Sequence, residues 1–153
     1  MKPSPTILAF MCARETFQPK AMLPTPHDRP TFGFGQTFHL DGSPVKMGEC
    51  CTRAEADTAF AARMVPLAAK VTALIGLAPT TQFQFDALLS LADNIGAGHD
   101  GLGGSTVLKL HVAGDYEKAA AWFKPWCHQG GIVLLGLVTR RASEASIYQG
   151  GKP

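Results

Sequence analysis

Apolar residues recur at helical spacing over several stretches of the chain and alternate with small or polar ones over one. Ser4-Pro5 reads as an N-cap followed by proline at the first helical position. Ile7, Leu8, Met11 and Cys12 then fall on one helical face. The spacing predicts a helix ending near Glu15 or Thr16, because Pro19 cannot lie inside it. Residues 21–47 are rich in Pro, Gly, Phe and Thr and read as short strands and turns. Within them, Thr31 to Gly35 alternates, with Phe32 and Phe34 on one face and Thr31, Gly33 and Gly35 on the other.

The character changes at Thr52. Thr52-Arg53-Ala54-Glu55 has the form of a capping box. The Ala-rich helix that follows should break or kink at Pro66, and a second segment, Leu67 to Ile75, should end at Gly76. Ala78-Pro79-Thr80-Thr81 leads into the most apolar helix, Phe83 to Ile95, whose stripe of Phe85, Leu88, Leu89, Ala92 and Ile95 marks it as the central core helix. Gly96 to Gly104 reads as a flexible connector. Shorter helices are expected at Ser105–Val112, Asp115–Phe123 and Leu135–Ile147, and the tail Gln149–Pro153 should fray.

Composition narrows the picture modestly. The 153 residues suffice for one domain with a core, or one domain in two small lobes. A net charge of +2 is compatible with an anionic polymer as partner, but no Lys/Arg run or Arg/aromatic interleaving points to nucleic acid. The run Ile7–Met11 is too short to span a membrane, and no later segment reads as long enough, so stable membrane insertion is not expected. That run also lacks the flanks of a standard signal peptide. Of four cysteines, Cys12, Cys50, Cys51 and Cys127, most should be free thiols, with a bridge from Cys50 or Cys51 to Cys127 left open.

Candidate chemistry is found by elimination. The five histidines are scattered without metal-ligand spacing, so no metal site is expected. There is no GxSxG elbow for a serine hydrolase, and Cys127-His128 are neighbours that seldom present their side chains to each other. The glycines of 96–104 lack P-loop spacing. What remains is two carboxylates and a hydroxyl: Glu15, Asp28 and Thr31. An acid at a helix C-terminus meets the negative end of the dipole, which raises its pKa toward what a general acid needs. Glycoside cleavage requires such an acid and a second group that activates water or attacks the sugar. A plain β-hairpin with glycine at its turns is the alternative for Thr31–Gly35 taken alone.

Several blocks together resemble the phage-type lysozymes, the endolysin muramidases of tailed phages and prophages. They are Glu15-Thr16-Phe17-Gln18-Pro19-Lys20-Ala21-Met22; Thr31-Phe32-Gly33-Phe34-Gly35-Gln36-Thr37; Val45 through Thr52; Gln82 through Ser90 with Asn94-Ile95-Gly96; Ser105-Thr106-Val107-Leu108 with Ala113-Gly114-Asp115-Tyr116; and Gly136 through Arg141 with Glu144. They occur in the family's order and cover almost the whole chain.

The resemblance implies an α+β, mainly helical, two-lobed fold: a single lysozyme-like domain over 1–153, with a small β-rich lobe at 15–51 and a helical lobe from 1–14 and 52–150. It implies hydrolysis of the β-1,4 bond between N-acetylmuramic acid and N-acetylglucosamine, with inversion and no cofactor. Glu15 matches the family's general acid and Thr31 the threonine that helps hold the attacking water. The family's aspartate position, nine residues after the glutamate, is Pro24 here, so Asp28 stands as its replacement. Thr16, Met22 and Gln36 replace the usual glycine, tyrosine and histidine. Asn94, Ser105 and Arg140 are expected to contact glycan or peptide, with a solvated helix end as the alternative for Arg140 and Arg141. The implied protein is a monomer, made in the cytoplasm and released to the wall with the help of a holin. A non-catalytic wall-binding or phage structural module and a lytic transglycosylase are the alternatives.

Overall fold

The computed structural model describes residues 1–152, and it is mainly helical with two small antiparallel sheets. The chain separates into two compact units, Leu8–Val65 and Met1–Ile7 with everything from Pro66 onward. The division falls inside two helices, Pro5–Cys12 and Arg53–Ile75.

Helix α1 (Pro5–Cys12) runs across the boundary between Ile7 and Leu8 from a capped N-terminus, where the Ile7 amide donates to Ser4 Oγ at 3.1 Å. It stops at Cys12, short of the expected Glu15. The strands β1 (Gln18–Met22) and β2 (Thr31–Gly33) pair antiparallel, Gln18 opposite Gly33 and Met22 opposite Thr31, with an irregularity between. On the other edge of β1, the Ala21 amide donates to the Glu49 carbonyl and the Cys51 amide to the Pro19 carbonyl. Ala21, Phe32 and Val45 form a small core under this sheet, with Cys51 against it. Both phenylalanines of the expected strand are buried, but the alternation breaks at Gly33, which turns to φ +60°. Phe34 then packs against Phe17 and edge-on to Phe60.

The helix α2 (Arg53–Ile75) starts at the expected capping box: the Glu55 amide donates to Thr52 Oγ1 at 3.2 Å and the Thr52 amide to Glu55 Oε2 at 2.7 Å. It runs without interruption through Pro66 to Gly76, in one helix where two segments were expected. Ala56, Phe60, Met64, Ala68, Val71 and Ile75 make its buried stripe. Because it is continuous and Ala-rich, α2 is long and apolar enough, by length and composition alone, to cross a membrane, contrary to the reading of the sequence. A core helix meets the same criterion, and a buried stripe at helical spacing is the mark of one.

In the other unit the central helix is α3 (Gln82–Ile95), closed at its start by a full capping box between Thr81 and Gln84. Gln84 through Ala92 are buried without a break, and α3 packs most extensively against α6 (Leu135–Tyr148). The glycines after it are not a loose connector. A Cβ at Gly101 or Gly104 would run into the carbonyls of Ile95, Gly96 and His99, so these glycines permit close backbone packing. A short 3-10 turn (Leu102–Gly104), α4 (Thr106–Val112) and α5 (Tyr116–Ala121) follow. Asp115 sits at the N-cap of α5, but its carboxylate binds Lys118 at 2.6 Å rather than capping the helix.

Next comes a hairpin that was not anticipated, β3 (His128–Gln129) and β4 (Ile132–Val133), joined through Gly130 and Gly131, both at positive φ. The tail is tied down as far as Gly151, whose amide donates to the Ser146 carbonyl at 2.8 Å, and only Pro153 lies outside the described residues. All four cysteines are free.

Candidate active site

Glu15, Asp28 and Thr31 all belong to the Leu8–Val65 unit. Turns carry the chain past the end of α1, with the Arg14 amide on the Met11 carbonyl and the Glu15 amide on the Cys12 carbonyl at 3.2 Å. Glu15 is exposed, three residues before β1 begins. Its carboxylate is felt inside the unit: burial pushes the Cys12 thiol up to about 11, and the charges of Asp57 and then Glu15 add to that shift. Arg14 lies back over the Phe10 ring at 3.5 Å and donates to the Phe10 carbonyl.

Asp28 is exposed in the Pro-rich connection between β1 and β2, where its amide donates to the Thr25 carbonyl at 3.0 Å and closes a turn. Thr31 opens β2 opposite Met22, with its hydroxyl 3.5 Å from the Met22 carbonyl. That is long for an O–H···O bond, so the hydroxyl retains capacity for another partner. Among the described residues no hydrogen bond joins Glu15, Asp28 and Thr31 to one another.

Gln36 was singled out only as a departure from the family's histidine, and the structure gives it a positioning task. It is buried; Oε1 accepts from the Phe34 amide, and Nε2 donates to the Ala56 carbonyl at 3.2 Å. This pins the turn after β2 onto α2. The task requires Gly33, since a Cβ there would strike Gln36 Oε1 and press on Ala56. Arg53, from the first turn of α2, stacks over Phe34 with its guanidinium carbon 4.7 Å from the ring centre. A cavity of about 690 Å³ in the same unit is lined by Phe32, Phe38, His39, Leu40, Cys50 and Glu55 among others, and none of Glu15, Asp28 and Thr31 lines it.

The other three expected site residues lie in the second unit. Asn94 is exposed in the last turn of α3. Ser105 is buried and caps α4: its oxygen accepts from the Leu108 amide at 3.1 Å and its hydroxyl donates to the Leu102 carbonyl at 2.8 Å. Arg140 is buried rather than solvated at a helix end. Its Nε donates to Glu144 at 3.1 Å, its Nη2 to the Ser90 carbonyl at 3.1 Å, and Asp93 lies 3.8 Å away. Ser105 and Arg140 thus spend their hydrogen bonds inside the unit, in capping and ion pairing. Among the described residues no three His, Cys, Asp or Glu side chains gather as a metal site would require.

Residues 13–144 match the family model "Phage lysozyme". The chain is 34% identical over 126 residues to the endolysin of Acyrthosiphon pisum secondary endosymbiont phage 1, covering 78% of this chain and 79% of that one. It is 46% identical over 72 residues to the endolysin of Bacillus phage B103, which is much longer; the match covers 47% of this chain and 27% of that one. Among solved structures, the endolysin from Escherichia coli O157:H7 phage FAHEc1 superposes with a TM-score of 0.84 at 33% identity, over 100% of this chain and 97% of that one. The muramidase domain of SpmX from Asticaccaulis excentricus gives a TM-score of 0.79 at 30% identity, over 96% of this chain and 97% of that one. With the family model spanning most of the sequence and the fold shared over its full length, the chain belongs to the phage lysozyme family.

Proposed function

We propose that the protein is a peptidoglycan hydrolase, a muramidase that cleaves the β-1,4 bond between N-acetylmuramic acid and N-acetylglucosamine during host-cell lysis. The observation that carries this reading is the family match over residues 13–144, which includes Glu15, Asp28 and Thr31. The endolysin and muramidase names of its relatives support it. Glu15 donates its proton to the glycosidic oxygen as the bond to C1 breaks. Thr31 holds a water on the opposite face of the sugar, and Asp28 accepts that water's proton as its oxygen bonds to C1, which inverts the anomeric centre. The scheme needs no metal or cofactor. Asn94, Ser105 and Arg140 are the candidates for glycan or peptide contact, and of these Asn94 is the exposed one. The protein acts on the wall as a monomer after holin-dependent release from the cytoplasm.

The test is clearing of purified peptidoglycan by the wild type, Glu15→Gln and Asp28→Asn, with mass analysis of the released fragments. Loss of the general acid should slow clearing by about a hundredfold or more, and loss of Asp28 should act in the same direction. Equal rates for wild type and Glu15→Gln would refute the assignment of Glu15, and an unaffected Asp28→Asn would reduce Asp28 to a turn residue. Products one water lighter than the hydrolysis products would instead make the enzyme a lytic transglycosylase, and sedimentation with the wall without fragment release would make it a binding module.

A further inference from the structure

The hairpin β3–β4 and the first turn of α6 expose an apolar run that the fold does not use. Ile132 is 67% exposed, Val133 50% and Leu135 83%, with Leu134 and Val138 also exposed. Four consecutive large aliphatic side chains in water oppose folding and solubility, so such a run calls for a partner. Leu134 even occupies the N-cap of α6, where a polar side chain would stabilise the helix and none does. The two glycines of the hairpin turn bring this run to a tip.

The surroundings say which partner. No acidic residue occurs from Lys118 to Ser143, while Lys124 and His128 are exposed. From Gln129 to Thr139 there is no charge at all. The chain's two tryptophans, Trp122 and Trp126, precede the hairpin, and Trp122 is largely exposed. The Leu134 amide bonds to the Cys127 carbonyl, which closes the base of the hairpin beside Trp126. An uncharged aliphatic tip, tryptophans shortly before it in the chain and an exposed lysine in a stretch without acidic residues match the layers of an anionic bilayer surface: acyl chains, interface and phosphate.

We propose that residues 130–138 form a peripheral membrane-contact tip, which dips Ile132, Val133 and Leu135 into the interfacial region of a bilayer containing anionic phospholipid while the rest of the protein stays in water. This goes beyond the wall-hydrolase reading and does not depend on it. A single small apolar tip gives reversible association, not anchoring.

The experiment is co-sedimentation of the full chain with vesicles of phosphatidylethanolamine and phosphatidylglycerol, and with phosphatidylcholine vesicles, alongside a peptidoglycan arm. Bromolipid quenching of tryptophan fluorescence reports depth. Wild type should bind the anionic vesicles, and Ile132→Ser and Leu135→Ser should each bind about tenfold more weakly. Lys124→Gln should weaken binding to the anionic vesicles only, and added salt should do the same. Circular dichroism checks that the exposed-site variants remain folded. Wild type that binds no better than the double variant Ile132→Ser/Leu135→Ser overturns the proposal. So does a double variant that keeps vesicle binding but loses sedimentation with peptidoglycan, which would assign the run to the wall polymer.

Discussion

Replacing Glu144 by alanine tests the most highly charged part of the interior. Glu144 is 0% exposed and Arg141 1%, with Arg140 and Ser90 also buried. Glu144 Oε1 accepts from Ser90 Oγ at 2.6 Å, Arg140 Nε at 3.1 Å and Arg141 Nη2 at 3.1 Å. Its Oε2 lies 2.9 Å from Arg141 Nε but without hydrogen-bond alignment, so that contact is ionic and leaves Arg141 Nε and Nη1 and Glu144 Oε2 without hydrogen-bond partners. Burial dominates here. It raises the pKa of the Glu144 carboxyl against the pull of both guanidiniums, and lowers that of Arg141.

Alanine at 144 strands two buried guanidiniums that share one carboxylate, with Asp93 3.8 Å from Arg140 as another acid nearby. Breaking a buried pair from one side costs about 3–5 kcal/mol, a large part of the roughly 5–15 kcal/mol that holds a domain folded. At about 2–4 °C per kcal/mol for a chain of this size, the melting temperature should fall by about 6–20 °C. Ser90→Ala removes the hydroxyl's bond to Glu144 and the long one it accepts from Arg140 Nη2 at 3.5 Å but leaves the charges paired, so its cost should be about 1–2 kcal/mol. Urea unfolding followed by far-UV circular dichroism measures both. A Glu144→Ala protein within about 1 kcal/mol of wild type, or less destabilised than Ser90→Ala, would refute the reasoning.

Two further outcomes follow from the geometry. Thr80 Oγ1 donates to the Ala78 carbonyl and so accepts from His111 Nε2–H, which leaves His111 Nδ1 to accept from the Tyr148 hydroxyl at 2.6 Å. Burial lowers the pKa of His111 below the ordinary 6.5. The unfolded chain therefore binds the proton more readily, and stability should be full above 6.5 and decline as pH falls below it toward the folded-state pKa. The urea midpoint measured against pH should lose that component in His111→Asn, and an identical pH profile in the two proteins would contradict the assignment. Gly33→Ala should destabilise by about 1–2 kcal/mol from the positive φ alone and by more from the collision with Gln36; urea unfolding checks it, and wild-type stability would mean the turn re-forms without cost.

Two of the three residues proposed for catalysis were picked out because they sit in sequence blocks: Glu15, which the structure places beyond the first helix, and Thr31, at the opening of β2. Asp28 was reached by elimination. Its carboxylate sits on an exposed turn whose only described backbone tie is the Asp28–Thr25 bond, and residue spacing does not determine how such a side chain points. The internal partners of Ser105 and Arg140 were not legible in the sequence, for a physical reason. A serine cap and a substrate serine look alike in sequence, and an arginine on a helix reads as solvated until a buried carboxylate is found for it.

What the sequence determined by itself is local. Helix starts at Ser4, Thr52 and Thr81 followed from side chains that bond amides three residues away, and α3 followed from an apolar stripe that recurs every turn. The tertiary structure decided what depends on partners far along the chain. Ser90 meets Arg140 and Glu144 across 50 and 54 residues, and Thr80 meets His111 across 31. It also decided that Pro66 would lie within one continuous helix and that the glycines of 96–104 would pack tightly. Periodicity and capping are short-range forces written in neighbouring residues, whereas burial of a charge or close approach of two backbones exists only once the distant segment that pairs with it has arrived.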